Sequence, residues 1–256
     1  MTLDVDPRPA AAPRRARVRA HARLELTMFL RNGEQLLLTV VLPLGLLLVL
    51  SLTEIIDVGG ATRADRLAIV VPSMFALAVL STSFTALAIQ TGFERRYGVL
   101  RRIGTTPLQR PDVLMGKSLA VLAIETVQVA VLGGIGAALG WRPDLAGLLV
   151  AVPLLLLGSA ALASLALLLA GVVRAEATLA LANLAYLLLA SAGVVIPIDR
   201  APERVQPLLE ALPSAALAES LRIATASGDV AWALVATLVV WLVIGAAGVS
   251  RWFRWE

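Results

Sequence analysis

The sequence predicts an all-α integral membrane protein with six transmembrane helices, and three observations carry that expectation. Of 256 residues, 59% are hydrophobic and 16% charged, at a mean hydropathy of +0.85; soluble domains hold about 45–50% apolar and about 25% charged residues. Six apolar runs reach the length of about 20 residues that a helix needs to cross a hydrocarbon core of about 30 Å. The basic residues crowd beside those runs, so the bilayer accounts for a pI near 10.5 without a nucleic-acid partner.

Residues 1–13 are rich in Pro and Ala, show no apolar period, and are expected to be a disordered tail. Arginines and no apolar core follow them, so no signal peptide is expected there. Over 14–34, Val18, Ala22, Leu26 and Phe29/Leu30 recur at helical spacing while Arg15, Arg19 and Arg23 repeat every fourth residue. That is the pattern of an amphipathic helix lying in the membrane interface. The spans of the transmembrane domain, 35–250, are then Leu36–Ile56, Leu67–Thr91, Ser118–Leu139, Leu145–Val173, Ala177–Ile196 and Val230–Val249. Pro43, Pro72 and the pair Pro153 and Gly158 offer places to bend three of them. Gly136 and Gly140 have the Gly-xxx-Gly spacing of close helix packing.

Two sizeable loops remain. The one at 92–117 carries Arg95, Arg96, Arg101, Arg102, Arg110 and Lys117, and with the N-terminal arm, Arg174, Arg251 and Arg254 it holds most of the 22 Lys and Arg. The positive-inside rule therefore puts both termini, the short tail 251–256 included, in the cytoplasm of a plasma membrane. The loop at 197–229 falls outside, with two short half-buried helices expected at Val205–Leu212 and Ala215–Ala226.

Several chemistries are excluded by residue type. There is no cysteine and a single histidine, His21, outside every span, which leaves no thiolate site, no His-based metal cluster and no Ser/His dyad. Gly116-Lys117-Ser118 imitates the end of a phosphate loop, but that motif requires glycine where Pro111 stands. Lys117 reads instead as a lysine snorkelling from a span start. No enzyme site of its own is expected in this chain, and no bound cofactor or metal.

The most informative segment is Phe93-Glu94-Arg95-Arg96-Tyr97-Gly98-Val99-Leu100-Arg101-Arg102-Ile103, a charged amphipathic helix with Val99, Leu100 and Ile103 on its apolar side and its four arginines exposed. Thr106-Pro107 ends it, because proline disfavours helix at the residue before it. Composition alone leaves two readings: a helix held to anionic headgroups, or a docking element for a cytoplasmic partner. Glu94 to Leu100, Thr106-Pro107-Leu108 and Gly116-Lys117 resemble the loop between the second and third spans of the ABC type-2 permease family, the daunorubicin-resistance type of actinobacteria included. Leu30-Arg31-Asn32 before Leu42-Pro43-Leu44, and Leu212-Pro213 before Ala218-Glu219-Ser220-Leu221-Arg222, match the same family in the same order.

That resemblance implies a type-2 ABC exporter fold: an N-terminal interfacial helix, six spans, a cytoplasmic coupling helix and short external re-entrant helices. It implies that Glu94 to Ile103 dock on a separate ATPase, with Arg174 and Glu176 as a second contact, and that the partner binds ATP and Mg. It implies two permease chains, as a homodimer or heterodimer, and a substrate of hydrophobic drug or lipid-like character. An exporter of polysaccharide or of a haem-pathway metabolite stays open as an alternative, and so does a polytopic membrane enzyme or assembly factor without transport. Within the spans, Glu125 is the one carboxylate well inside a run, where an unpartnered charge costs about 2.5–3.5 kcal/mol. Either it pairs with an arginine or reaches the interface, or it serves the substrate path. Ser81, Thr82, Ser83 and Thr85 cluster in the second span, and Asn183 and Tyr186 mark the fifth. The family lines its central cavity with those two spans, so Ser81, Thr82, Thr85, Glu125, Asn183 and Tyr186 are candidate path residues. Ordinary hydrogen bonding between helices explains the same residues equally well.

Overall fold

A computed structural model describes residues 11–53, 60, 62–195 and 197–253, with the backbone alone at Glu34 and Leu38. Most of the expected tail, the end of the first expected span, Ile196 and Arg254 lie outside these. Every regular element among the described residues is helical. Arg14–Leu30 forms α1. Three contiguous pieces, Gly33–Leu36, a π-helical Leu37–Val41 and Leu42–Leu52, make α2. Arg63–Arg96 is α3, with a π-helical stretch at Leu80–Ala86. Then come α4 Val99–Ile103, α5 Arg110–Leu139, α6 Leu145–Val172, α7 Ala175–Ser191, α8 Gln206–Glu210, α9 Pro213–Ser227 and α10 Trp232–Trp252.

Among the described residues four helices, α3, α5, α6 and α10, are long and apolar enough to cross a membrane, and α2 and α7 are shorter apolar helices. All six sit on the expected runs. Their burial separates them by role. The apolar window of α3 is 89% buried, against 22% for α10. A helix apolar on all sides and covered on all sides is the axis of its bundle. One such as α10 keeps an apolar face, with Val239, Val240, Val243 and Ile244, on the outside of the bundle.

Caps mark where the chain turns. Thr62 and Asp65 form a reciprocal capping box at the start of α3, with the Asp65 amide donating to Thr62 Oγ1 at 3.2 Å and the Thr62 amide to Asp65 Oδ2 at 3.0 Å. At the other end of α5, Gly140 takes φ +111°, and the Trp141 amide returns to the Gly136 carbonyl at 2.8 Å. The expected Gly-xxx-Gly pair thus divides its work. Gly136 packs, since a Cβ there would sit 2.8 Å from Val71, while Gly140 stops the helix. Asp144 Oδ2 then caps α6 by accepting from the Gly147 amide at 2.9 Å. Pro72 and Pro153 lie inside uninterrupted helices. Of the expected bend sites, Pro43 alone adjoins an irregular turn.

The segment between α7 and α10 departs from expectation. Helix α9 was expected half-buried, yet Pro213 to Ala218, Ser220 to Arg222, Ala224 and Thr225 are all buried. It packs among α3, α6 and α10. Small side chains on α9 and glycines opposite them allow the approach: a Cβ on Gly158 would meet Leu217 at 2.6 Å, and one on Gly147 would meet the Ala224 carbonyl oxygen at 2.0 Å. Gly147→Ala is therefore expected to force α6 and α9 apart and destabilise the fold by about 1–3 kcal/mol, the cost of overpacking. A thermal melt of the purified variant in detergent that overlays the parent would refute the packing.

Candidate functional site

One end of the bundle gathers the end of α3, α4, the α6–α7 turn and the end of α10. The expected continuous helix from Glu94 to Ile103 is broken: α3 ends at Arg96, Tyr97 turns, and Gly98 at φ +69° starts the separate α4. The Tyr97 and Gly98 amides return to the Phe93 and Arg95 carbonyls at 2.9 and 3.1 Å, and only glycine adopts such a left-handed turn readily. Leu100 is buried, Val99 and Ile103 are half-buried, and Arg101, Arg102, Thr106 and Pro107 are exposed, as the apolar side of the sequence implied.

Arg95 corrects the expectation of four exposed arginines. Its guanidinium donates to the Gly171 carbonyl and, at 2.6 Å, to the Val173 carbonyl, two of the groups that the end of α6 leaves unpaired. Arg96 pairs with Glu176 in the first turn of α7. Arg174, at the N-cap of α7, is exposed. The two expected docking elements are thus tied into one face. Tyr97 stands out from it, 65% exposed, stacked on Phe93 at 6.0 Å between centroids and with the Arg96 guanidinium 5.8 Å from its ring centre.

Behind that face lies an ionic cluster that sequence reasoning missed. Lys117 does not snorkel: it is 2% exposed inside α5, with Nζ 2.9 Å from Glu25 Oε1, 2.8 Å from Glu94 Oε1 and 2.7 Å from Glu94 Oε2. Gln90 donates to both carboxylates, at 3.0 Å to Glu94. His21 Nε2 stands 3.2 Å from Glu25 Oε1, and a Cβ on Gly116 would strike its ring at 2.5 Å. Burial, then the Lys117 ammonium, hold the His21 imidazole below its ordinary range against the opposing pull of Glu94. Nearby, Arg14 donates to Asp112 Oδ1 at 2.6 Å. The buried face of α1 is therefore Val18, His21, Glu25 and Phe29, one residue back from the apolar stripe at Ala22 and Leu26. The signal was present, since 18, 21, 25 and 29 also share a helical face, but two of those positions are polar.

Deeper in the bundle, α2, α3, α5 and α6 share a polar layer. Ser159 Oγ lies 2.8 Å from Ser83 Oγ, and Ser83 donates to Glu125 Oε1 at 2.6 Å. Glu125 thus neither meets an arginine nor reaches the bundle end. Thr82 donates to Gln128 Oε1 at 3.0 Å, and Gln128 Nε2 donates to the Thr39 carbonyl at 2.6 Å. That carbonyl lies four residues before Pro43, which has no N–H to offer it. Gln128 was not singled out in the sequence, yet it bridges the two π-helical stretches, which touch. Ser81 donates to its own helix at Ala78. Thr85 and Tyr186 are buried without a hydroxyl partner among the described residues, and Asn183 is half-buried, so no hydrogen bond joins α7 to this layer there.

Gly116-Lys117-Ser118 lies inside continuous α5, so no phosphate loop forms there. A family model described as ABC-2 type transporter matches residues 17–226. Among curated proteins, none matches the chain.

Proposed function

This chain belongs to the ABC-2 type transporter family, and on that premise we propose that it is the permease of an exporter whose motor is a separate polypeptide. The family makes it the membrane-embedded component of an ABC transporter, not a catalyst itself, and implies in general an ATPase partner and a dimeric membrane unit.

We place six spans in a bacterial plasma membrane with both termini cytoplasmic. Helix α7, with 17 residues, is about 26 Å long at 1.5 Å per residue, close to a hydrocarbon core of about 30 Å. The face built from α4 and the α6–α7 turn then meets the ATPase, which carries ATP and Mg. The observation that supports this most is the pair of ties, from Arg95 to the end of α6 and from Arg96 to the first turn of α7, which join two chain segments into one face. Arg101, Arg102, Thr106, Pro107 and Tyr97 project from it. Glu94 to Ile103, with Arg174 and Glu176, form the docking set in this reading, although Glu94, Arg95, Leu100 and Glu176 act by shaping the face.

Movement of that face is passed into the bundle and drives alternating access. The substrate path follows Ser81, Thr82, Thr85, Glu125, Asn183 and Tyr186 and is completed by the second permease chain; within one chain the α3 hydroxyls are buried, so the bundle must part to open it. The cargo is a hydrophobic drug or lipid-like compound, as in the daunorubicin-type exporters that the sequence resembles. Purification from native membranes is expected to yield two copies of this chain with two ATP-hydrolysing subunits by intact-complex mass. A chain that captures no such subunit would overturn the reading.

A further inference from the structure

We propose that Lys117 is a positioning residue that clamps α1 to the end of α3, so that the N-terminal helix travels as one body with the docking face. The inference rests on the reading that α4 docks an ATPase. Its own observations are separate. Lys117 Nζ, on α5, lies within 2.9 Å of Glu25 on α1 and within 2.8 Å of Glu94 in the last turn of α3. Lys117, Glu25 and Glu94 are 2%, 5% and 9% exposed at their side chains. Gln90 donates to both carboxylates, closing the triangle on its third side. Below it, Phe29, Ala86 and Ile124 repeat the same three-helix contact in apolar form.

Position makes this a mechanical element. Glu94 adjoins Arg95 and Arg96, and only Tyr97 and Gly98 separate that turn from α4. Charge-assisted hydrogen bonds are short and directional, and out of water their energy falls steeply with separation. A displacement imposed on α4 therefore reaches Glu94, and Lys117 must follow it, carrying Glu25, or leave two buried carboxylates uncompensated. A lysine needed only to anchor a span end would sit in the interface with its amine in water.

Because the chain has no cysteine, Arg23→Cys on the exposed side of α1 and Thr105→Cys just past α4 give it two labelling sites, and the labelled chain is assembled with an excess of unlabelled chain and with unlabelled ATPase so that the pair within one chain is read. Spin-label distances are measured in the complete complex with its ATPase, in lipid discs, without nucleotide and after trapping with ATP and vanadate. The parent is expected to keep one narrow distance in both states. Lys117→Met is expected to broaden or shift it on trapping, and Lys117→Arg to restore it. Should Lys117→Met fail to accumulate, Glu25→Gln, which keeps the Lys117–Glu94 pair, is expected to broaden it in the same way. A parent distance that shifts on trapping, or a Lys117→Met or Glu25→Gln complex that keeps the narrow distance, overturns the clamp. A parent chain that binds no ATPase overturns the docking reading instead. The distance in the isolated chain then still reports on the clamp, with broadening by Lys117→Met supporting it and an unchanged distance refuting it.

Discussion

Arg101→Glu with Arg102→Glu is expected to weaken capture of the ATPase by at least about tenfold while the chain still inserts and stays folded. Both side chains are exposed on α4 and neither has a partner within the described residues. Reversing them therefore costs the fold little, and the loss falls on the partner. Close charge pairs across protein interfaces couple by about 1.5–7 kcal/mol, and about 1.4 kcal/mol is already tenfold in affinity. Arg95 and Arg96 make poor reporters of docking, because each is spent inside the chain: Arg95→Glu would strip two α6 carbonyls of their donor and set a carboxylate against them. Titration of purified ATPase onto the detergent-solubilised double variant, at low and moderate salt, reads the effect. Affinity equal to the parent's would remove α4 from the interface.

The largest loss of stability is expected from Arg222→Met, about 3–5 kcal/mol, because several buried acceptors lose their donor at about 1–3 kcal/mol each. Arg222 of α9 is 6% exposed. It donates to Ser73 Oγ of α3 at 2.9 and 3.1 Å, to the Gly193 carbonyl at 3.1 Å, to the Val194 carbonyl, and to Glu219 at 2.8 Å. Three segments far apart in the chain meet at one guanidinium. Two of its acceptors are carbonyls just past the end of α7, where no further helical turn supplies an N–H. Methionine fills the volume and supplies no donor, so those groups stay buried and unpaired. Thermal unfolding in detergent, followed by size-exclusion, should show the folded fraction lost at much lower temperature. A melt matching the parent's would mean that Arg222 is replaceable by packing alone.

Helix positions were legible because an apolar run of membrane length has one economical conformation in lipid. Each of the six runs holds a helix among the described residues, although the fifth stops at Ser191, and Arg63–Arg96 and Arg110–Leu139 extend their runs by adding charged turns at the ends. The break at Gly98 was visible as a residue and misread as part of a helix, since the pattern Val99, Leu100, Ile103 continues across it. The polar partners were harder. Lys117 and Arg222 looked like interface or loop residues when read against their own neighbours, and Glu25 and Gln128 drew no reading at all. Each acquires its role from groups 23 to 149 positions away, as with Lys117 and Glu94 or Arg222 and Ser73.

By itself, then, the amino-acid sequence determined that this protein lives in a membrane, where its helices run, and which loop carries the charge; those are properties of short segments and their solvent. Tertiary structure alone decided which face of α1 is buried, which arginines face outward, and that α9 belongs to the core. A buried ion or hydrogen bond is stable only when its partner arrives from another helix, and no local pattern records that arrival.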